Sequence, residues 1–150
     1  MKYTWDGFLT EKELKTVGVV VCLNEELQFL IIRRSNIDKR GGSWTMPGGH
    51  IDDQDGSIEE GAVRELQEEA NLTCSASNLV YLGTPKPQKY YFLTQKWHGS
   101  VIIDQPNPKT GEIEHDAYKW VTINEIKDID DTEIPIYLLE KALEMVKNAK

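Results

Sequence analysis

Arg64, Glu65, Glu68 and Glu69 stand together in the run Arg64-Glu65-Leu66-Gln67-Glu68-Glu69. On a helix, at about 100° per residue, the three glutamates fall within one narrow arc, and Val63, Leu66 and Ala70 occupy a neighbouring arc that can pack on a sheet. Carboxylates crowded on one face repel each other unless something cationic sits among them. A cluster of oxygen donors suits Mg²⁺, with Mn²⁺ as the alternative, whereas Zn²⁺ prefers His and Cys. Such a cation activates water near neutral pH, and an adjacent carboxylate can accept the proton. The competing reading is a solvated acidic face, common wherever two glutamates adjoin. Context weighs against it, because Pro47-Gly48-Gly49-His50 precedes the helix and a glycine pair lets backbone carbonyls approach a ligand closely.

The elements that must position these residues can be read along the chain. Ser57 and Glu60 have capping-box spacing, opening a helix over Ile58 to Asn71, and Asn71 suits the left-handed residue that ends many helices. Thr16 to Leu23 and Leu27 to Arg33 read as two strands joined by the turn Asn24-Glu25-Glu26, a pattern that suggests a hairpin. A short strand over Trp44 to Met46 follows the Gly41-Gly42 break. Further strands are expected at Leu79 to Leu82, Lys89 to Lys96, Ser100 to Asp104 and Ala117 to Val121. Gln105 to Gly111 is a loop punctuated by two prolines. Thr122 and Glu125 form a second capping box, and Pro135 to Asn148 reads as an amphipathic helix with Leu138, Leu139, Ala142, Leu143 and Val146 inward. Strands flanking one helix, with another closing the chain, predict an α/β class: a mixed central sheet between helices in one domain over 1–150.

The chain has 150 residues, enough for one domain with a hydrophobic core, and neither its 39% hydrophobic nor its 28% charged content points to disorder. Its 25 acidic residues against 17 basic ones give a formal charge of −8, which argues against a duplex nucleic-acid footprint. A small phosphorylated ligand is compatible with that charge, since a bound divalent cation supplies positive charge locally. Cys22 and Cys74 make neither a metal-ligand spacing nor a disulfide framework, which favours a reducing compartment. The N-terminal residues lack a signal-peptide layout, and the longest apolar run, Val17 to Leu23, is far short of a membrane span. The expected location is cytoplasmic.

From Gly48 to Leu72 the sequence resembles the signature of the Nudix (MutT-like) hydrolases. That box reads Gly, five residues, Glu, seven residues, then Arg-Glu-apolar-x-Glu-Glu-x-Gly-apolar, and here it covers about a sixth of the chain. Two positions depart from it. Counting back from Arg64, the loop is one residue longer and the first box Glu falls on Gly56, leaving Asp52, Asp53 and Asp55 as candidate replacements; Asn71 stands at the box's later Gly. The resemblance implies an α/β/α sandwich and a metal-dependent pyrophosphohydrolase that uses Mg²⁺. It implies that Glu68 and Glu69 are the main metal ligands and that Glu65 is a further ligand or the base. The carbonyl at Gly48 would complete the shell, and Arg64 would hold a box carboxylate. A late loop would add one more acid, Glu112 or Glu114, of which Glu114 is preferred because a Glu-His pair before Trp-Val recurs in the family.

For substrate, Arg33 and Arg34 end a strand where the family often holds phosphate, His50 follows the glycine pair, and Tyr90 belongs to an aromatic run that can offer a stacking face. Each also has an ordinary structural reading. The expected substrate is a nucleoside diphosphate derivative, with nucleoside triphosphates favoured over ADP-ribose, nucleotide sugars and dinucleoside polyphosphates. A non-catalytic nucleotide sensor on the same fold is the rival from another class, motivated by Gly56. No membrane partner is expected. The chain is read as a monomer or homodimer, with the segment around Trp5 and Phe8 as an interface candidate.

Overall fold

The structure, a computed structural model, describes residues 15–35, 41–130 and 132–149. The segment with Trp5 and Phe8 lies outside these described residues. Strand β1 (Val17–Cys22) is apolar and rich in valine, and successive side chains point to opposite faces. Val19 and Val21 join one core, while Val20 and Cys22 join another. A strand buried on both faces needs cover on both sides. Helix α1 (Ile58–Ala70) covers one side with Ala62, Leu66 and Ala70. Helix α3 (Ile136–Asn148) covers the other with Leu138, Leu139, Ala142 and Val146, joined by Ile126 of α2 (Ile123–Lys127). The expected α/β/α sandwich follows.

The strands form two sheets. In the first, β4 (Gly48–His50), β1, β6 (Lys89–Thr94) and β5 (Val80–Lys86) lie in that spatial order, with β1 parallel to β6 and the other pairs antiparallel. In the second, β3 (Trp44–Thr45), β2 (Phe29–Arg34) and β7 (His115–Val121) are antiparallel. Both feed the same two cores, since Phe29, Ile31 and Val121 face α3 and Leu30 and Ile32 face α1.

Three expectations need correction. β1 and β2 are consecutive but do not form a hairpin. β1 has both edges taken, by β4 over Val17 to Val19 and by β6 along its full length, so β2 pairs elsewhere. Only the bridge Leu23–Phe29 and the Asn24–Gln28 turn link them directly. Residues 100–104 are not a strand, although Val101 and Ile103 pack against the α1-side core and Ile102 is exposed. Their backbone groups meet the end of α1 instead: Ile102 N–H donates to the Ala70 carbonyl, and Asn71 Nδ2 donates to the Ser100 carbonyl. Finally, β5 runs on to Lys86 through Gly83 and Pro85, with register shifts; as an edge strand it tolerates a proline.

Helix α1 starts and ends where its residue types dictate. Ser57 Oγ accepts from Glu60 N–H at 3.1 Å, and Asn71 adopts φ 61° while its N–H bonds the Gln67 carbonyl. Thr122 and Glu125 form the reciprocal capping box expected for α2. The distance of α1 from β1 is set by Gly18, where an added Cβ would lie 2.9 Å from Ala62 Cβ and 3.1 Å from Ile51 Cδ1. Gly18→Ala should therefore overpack this contact and cost roughly 1–3 kcal/mol. In urea unfolding, the midpoint should fall at an unchanged m-value.

Candidate functional site

Arg64, on the partly buried flank of α1, organises the acidic face. Its Nε and Nη2 donate to Asp55 Oδ1 and Oδ2, both at 2.9 Å, a two-pronged pairing. Nη1 donates to Glu65 Oε1 and Glu68 Oε2, both at 3.1 Å, and Nη2 also reaches the His50 carbonyl at 3.1 Å. Asp52 stands 3.5 Å from Nη2 and takes part in a second pairing with Lys109. The cation required among crowded carboxylates is thus partly supplied from within the helix.

Of the three candidate replacements for the missing acid, Asp55 is the one bonded to Arg64 through both oxygens. Its Oδ2 also accepts from Asp52 N–H at 2.8 Å, closing the loop on itself. Hydrogen bonds from Arg64, more than any other influence, hold the Asp55 carboxyl below its ordinary range. Counted forward from Gly49, Asp55 follows five intervening residues, 50–54, so the extra residue lies after it, at the Gly56 helix entrance. A Cβ at Gly56 would meet the far end of the exposed Glu60 side chain, which can swing away.

Glu65, Glu68, Glu69 and Glu114 line one open cleft, together with Ile103, Gln105, Asn107, Pro108 and His115. Each carboxylate has one oxygen held by a protein donor. Arg64 holds Glu65 Oε1 and Glu68 Oε2, Gly48 N–H holds Glu69 Oε1 at 2.8 Å, and Asn107 Nδ2 holds Glu114 Oε1 at 2.8 Å. Glu65 approaches β4 because Gly49 has no Cβ; an added one would clash with its carboxylate. Gly48 is equally constrained from behind, where a Cβ would meet the Gly18 carbonyl oxygen at 2.5 Å.

The electrostatics show an excess of negative charge. Burial first, and the Glu68 charge second, push the Glu65 carboxyl up to about 7 despite the opposing pull of Arg64. Burial raises Glu69 well above its usual range, and Glu65 and Glu114 add to it; Gly48 N–H and Arg34 work the other way. Among the described residues, no three His, Cys, Asp or Glu groups already converge as a metal cage. Arg64 engages one oxygen each of Glu65 and Glu68. The chemistry of the donor set nevertheless fits a hard divalent cation: four carboxylates on one cleft, more negative charge than Arg64 and Arg34 beside them neutralise.

The remaining sequence candidates are distributed differently. Arg33 pairs with Asp116 at 2.8 Å and lies over Trp44, away from the cleft-lining residues. Arg34 pairs with Glu133 at 3.0 Å and lies near enough to Glu69 to favour its charged form. His50 contributes its carbonyl to Arg64; its exposed side chain is not part of the cleft lining. Tyr90 packs against the α1-side core, with its ring 6.4 Å from that of Tyr81, and does not line the cleft. Gly48 meets the acidic cluster through its N–H, which donates to Glu69. Glu112 is exposed, and only Glu114 of the two late acids reaches the cleft. Sequence reasoning missed Gln105, Asn107 and His115. Their one signal was position in or beside the proline-punctuated loop ahead of Trp120.

Comparison with known proteins agrees with this geometry. A family model described as "NUDIX domain" matches residues 12–141. An RNA pyrophosphohydrolase from Bartonella tribocorum is 29% identical, over 77% of this chain and 79% of its own. Among solved structures, a Caenorhabditis elegans Ap4A hydrolase in a binary complex superposes with a TM-score of 0.65 at 23% identity, covering 89% of this chain and 99% of that one. The NUDIX domain of Shewanella oneidensis NrtR, in a cocrystal with ADP ribose, gives 0.64 at 19% identity over 96% and 94% of the two chains. These structural likenesses establish the fold.

The Asp55–Arg64 pair generates a stability prediction. Asp55 has a side chain only 9% exposed, and its carboxyl is held below the ordinary range. Its stabilisation is therefore complete above the unfolded value near pH 4 and is lost as pH falls through the depressed folded value. Asp55→Asn should destabilise by roughly 2–3 kcal/mol at neutral pH, less than a fully buried broken pair because Arg64 keeps other carboxylate partners. Urea unfolding in a series from about pH 7 to about pH 2 should show the gap between parent and variant closing on the acid side.

Proposed function

This chain belongs to the NUDIX family of pyrophosphohydrolases, and from that premise we propose that it cleaves a diphosphate linkage in a nucleoside diphosphate derivative, with nucleoside triphosphates favoured. The observation that carries the reading is the meeting of four glutamates, from α1 and from the loop before β7, on one cleft. Glu68, Glu69 and Glu114 would hold Mg²⁺, with Mn²⁺ as a substitute. The cation, when bound, supplies neutralisation of phosphate charge and a lowered pKa for the attacking water. Glu65 accepts the proton from that water, held in place by Arg64 Nη1 and by the space that Gly49 leaves. Arg64 does not touch substrate in this scheme; it fixes the two glutamates and the Asp55 loop as one unit.

An RNA carrying a diphosphate linkage at its end is the second reading, favoured by the similarity to the Bartonella protein. The formal charge of −8 weighs against recognition of a long RNA backbone. No helix among the described residues is long and apolar enough to cross a membrane.

The test is a hydrolysis screen with Mg²⁺ and with EDTA, in which all phosphorylated products, nucleotides and sugar phosphates included, are resolved by chromatography. The panel comprises nucleoside triphosphates, ADP-ribose, nucleotide sugars, dinucleoside polyphosphates and a triphosphorylated RNA oligonucleotide. Turnover should require the cation and be fastest on a nucleoside triphosphate. Glu68→Gln should lower kcat roughly a hundredfold or more, beyond the loss typical of removing only a ligand's outer partner. A folded protein with no turnover on any member would overturn the proposal in favour of a binding role.

A further inference from the structure

We infer that Asn107 is a positioning residue that presents the Glu114 carboxylate to the cleft without neutralising it. The inference rests on the role proposed above for Glu114. Residues 105–114 form a strap along the acidic cleft, contributing Gln105, Asn107, Pro108 and Glu114 to its lining. One end is pinned to α1, where Gln105 Nε2 donates to the carbonyls of Gln67 and Glu68, both at 3.0 Å. The other end is tied to the residue after β2: Ser35 N–H donates to the Glu114 carbonyl at 2.8 Å, and Ser35 Oγ to the Ile113 carbonyl at 2.9 Å.

Asn107 closes the strap with every polar group it has. Its backbone N–H donates to the Glu112 carbonyl, and its carbonyl accepts from Gly111 N–H, both at 2.8 Å. Side-chain Oδ1 accepts from the N–H of Lys109 at 2.8 Å and of Thr110 at 3.2 Å. Two backbone donors on Oδ1 fix the amide orientation, so Nδ2 is the end that faces Glu114 Oε1, at 2.8 Å. Among the described residues no protein donor engages the other Glu114 oxygen, and the residue lines the cleft.

The choice of an amide is chemically specific. Glu65 and Glu68 are held by a guanidinium, which competes for the charge that a divalent cation would use. A neutral N–H orients Glu114 and leaves its full negative charge available. Lys or Arg at 107 would orient the same carboxylate while opposing cation binding. The residue therefore acts through Glu114 on cation affinity, and its effect should vanish once Glu114 has lost its charge.

Asn107→Ser separates this role from closure of the strap. Serine keeps a side-chain acceptor for the turn at Lys109 and Thr110 but is too short to donate to Glu114. Mn²⁺ binding to the full chain without substrate, followed by electron paramagnetic resonance, should weaken about tenfold in Asn107→Ser. Activity should show the same change as a higher Mg²⁺ requirement, with the substrate KM unchanged once Mg²⁺ is saturating. Glu114→Gln should weaken Mn²⁺ binding by itself, and adding Asn107→Ser to it should cause no further loss. Thermal unfolding verifies that each variant is folded, and Asn107→Thr replaces the serine variant if that one is not. Losses that add in the double variant, or unchanged Mn²⁺ binding in folded Asn107→Ser, would overturn the inference while leaving Glu114 in its role. Unchanged binding in Glu114→Gln would instead remove Glu114 from the proposed site, and the inference with it.

Discussion

The acidic site depends on how one guanidinium is shared. Arg64 has five donors in a rigid fork, and they tie together the loop before α1, the strand end at His50 and two glutamates one turn apart. Without that cation, Glu65 and Glu68 would face each other on a partly buried helix surface with no compensating charge. With it they are held close but not discharged, because Asp55 takes the two shortest of its hydrogen bonds to carboxylate oxygens. Hydrogen bonding to Asp55 is also the largest influence raising the Arg64 pKa, so the guanidinium stays charged throughout the working range.

Such a concentration of acid must be anchored against a rigid body. Here the anchor is the pair of cores on either side of β1, whose close approach to α1 rests on Gly18 and Ala62. β4 then brings Gly48 and Gly49 alongside, where the missing Cβ atoms admit Glu65 and let the Gly48 N–H meet Glu69. The glycine pair thus serves close packing and donation to a carboxylate. The sequence suggested close approach at these glycines, and the N–H contact of Gly48 with Glu69 is a role it did not reveal.

Much of this was legible because local rules and tertiary need agree in α1: its cap residues, its apolar stripe and its acidic arc all have helical period. β1 was equally legible as a strand, but its partners were not, since an apolar run buried on both faces pairs by topology rather than by a local turn. Residues 100–104 alternate as a strand would, with Val101 and Ile103 packed inward, and yet bond the end of α1. Alternation reports which side chains are covered and is silent on where backbone groups bond. Asp55 was ambiguous for a different reason. An extra residue between two fixed points shifts the register from one side only, so counting back from Arg64 lands on Gly56 and counting forward from Gly49 lands on Asp55. Asn107 and Gln105 had no periodic signal, since their roles arise from a strap closed by side chains.

The partners of the four glutamates also bear on how a substrate would enter. Glu65 and Glu68 share a cation, whereas among the described residues the hydrogen-bond donors to Glu69 and Glu114 are neutral N–H groups. Burial penalises the charged form of Glu69, and the neighbouring acids add to that penalty. On the proposed function, a polyphosphate approaching this wall meets repulsion that Arg64 cannot relieve, because its donors are already committed. Divalent cations bound at the same wall would lower that repulsion for the substrate, and the substrate's phosphates would in turn raise cation affinity. Cation and substrate should therefore bind with positive coupling. The half of the cleft formed by Glu69 and Glu114 is where that coupling should be strongest, because a guanidinium already engages Glu65 and Glu68.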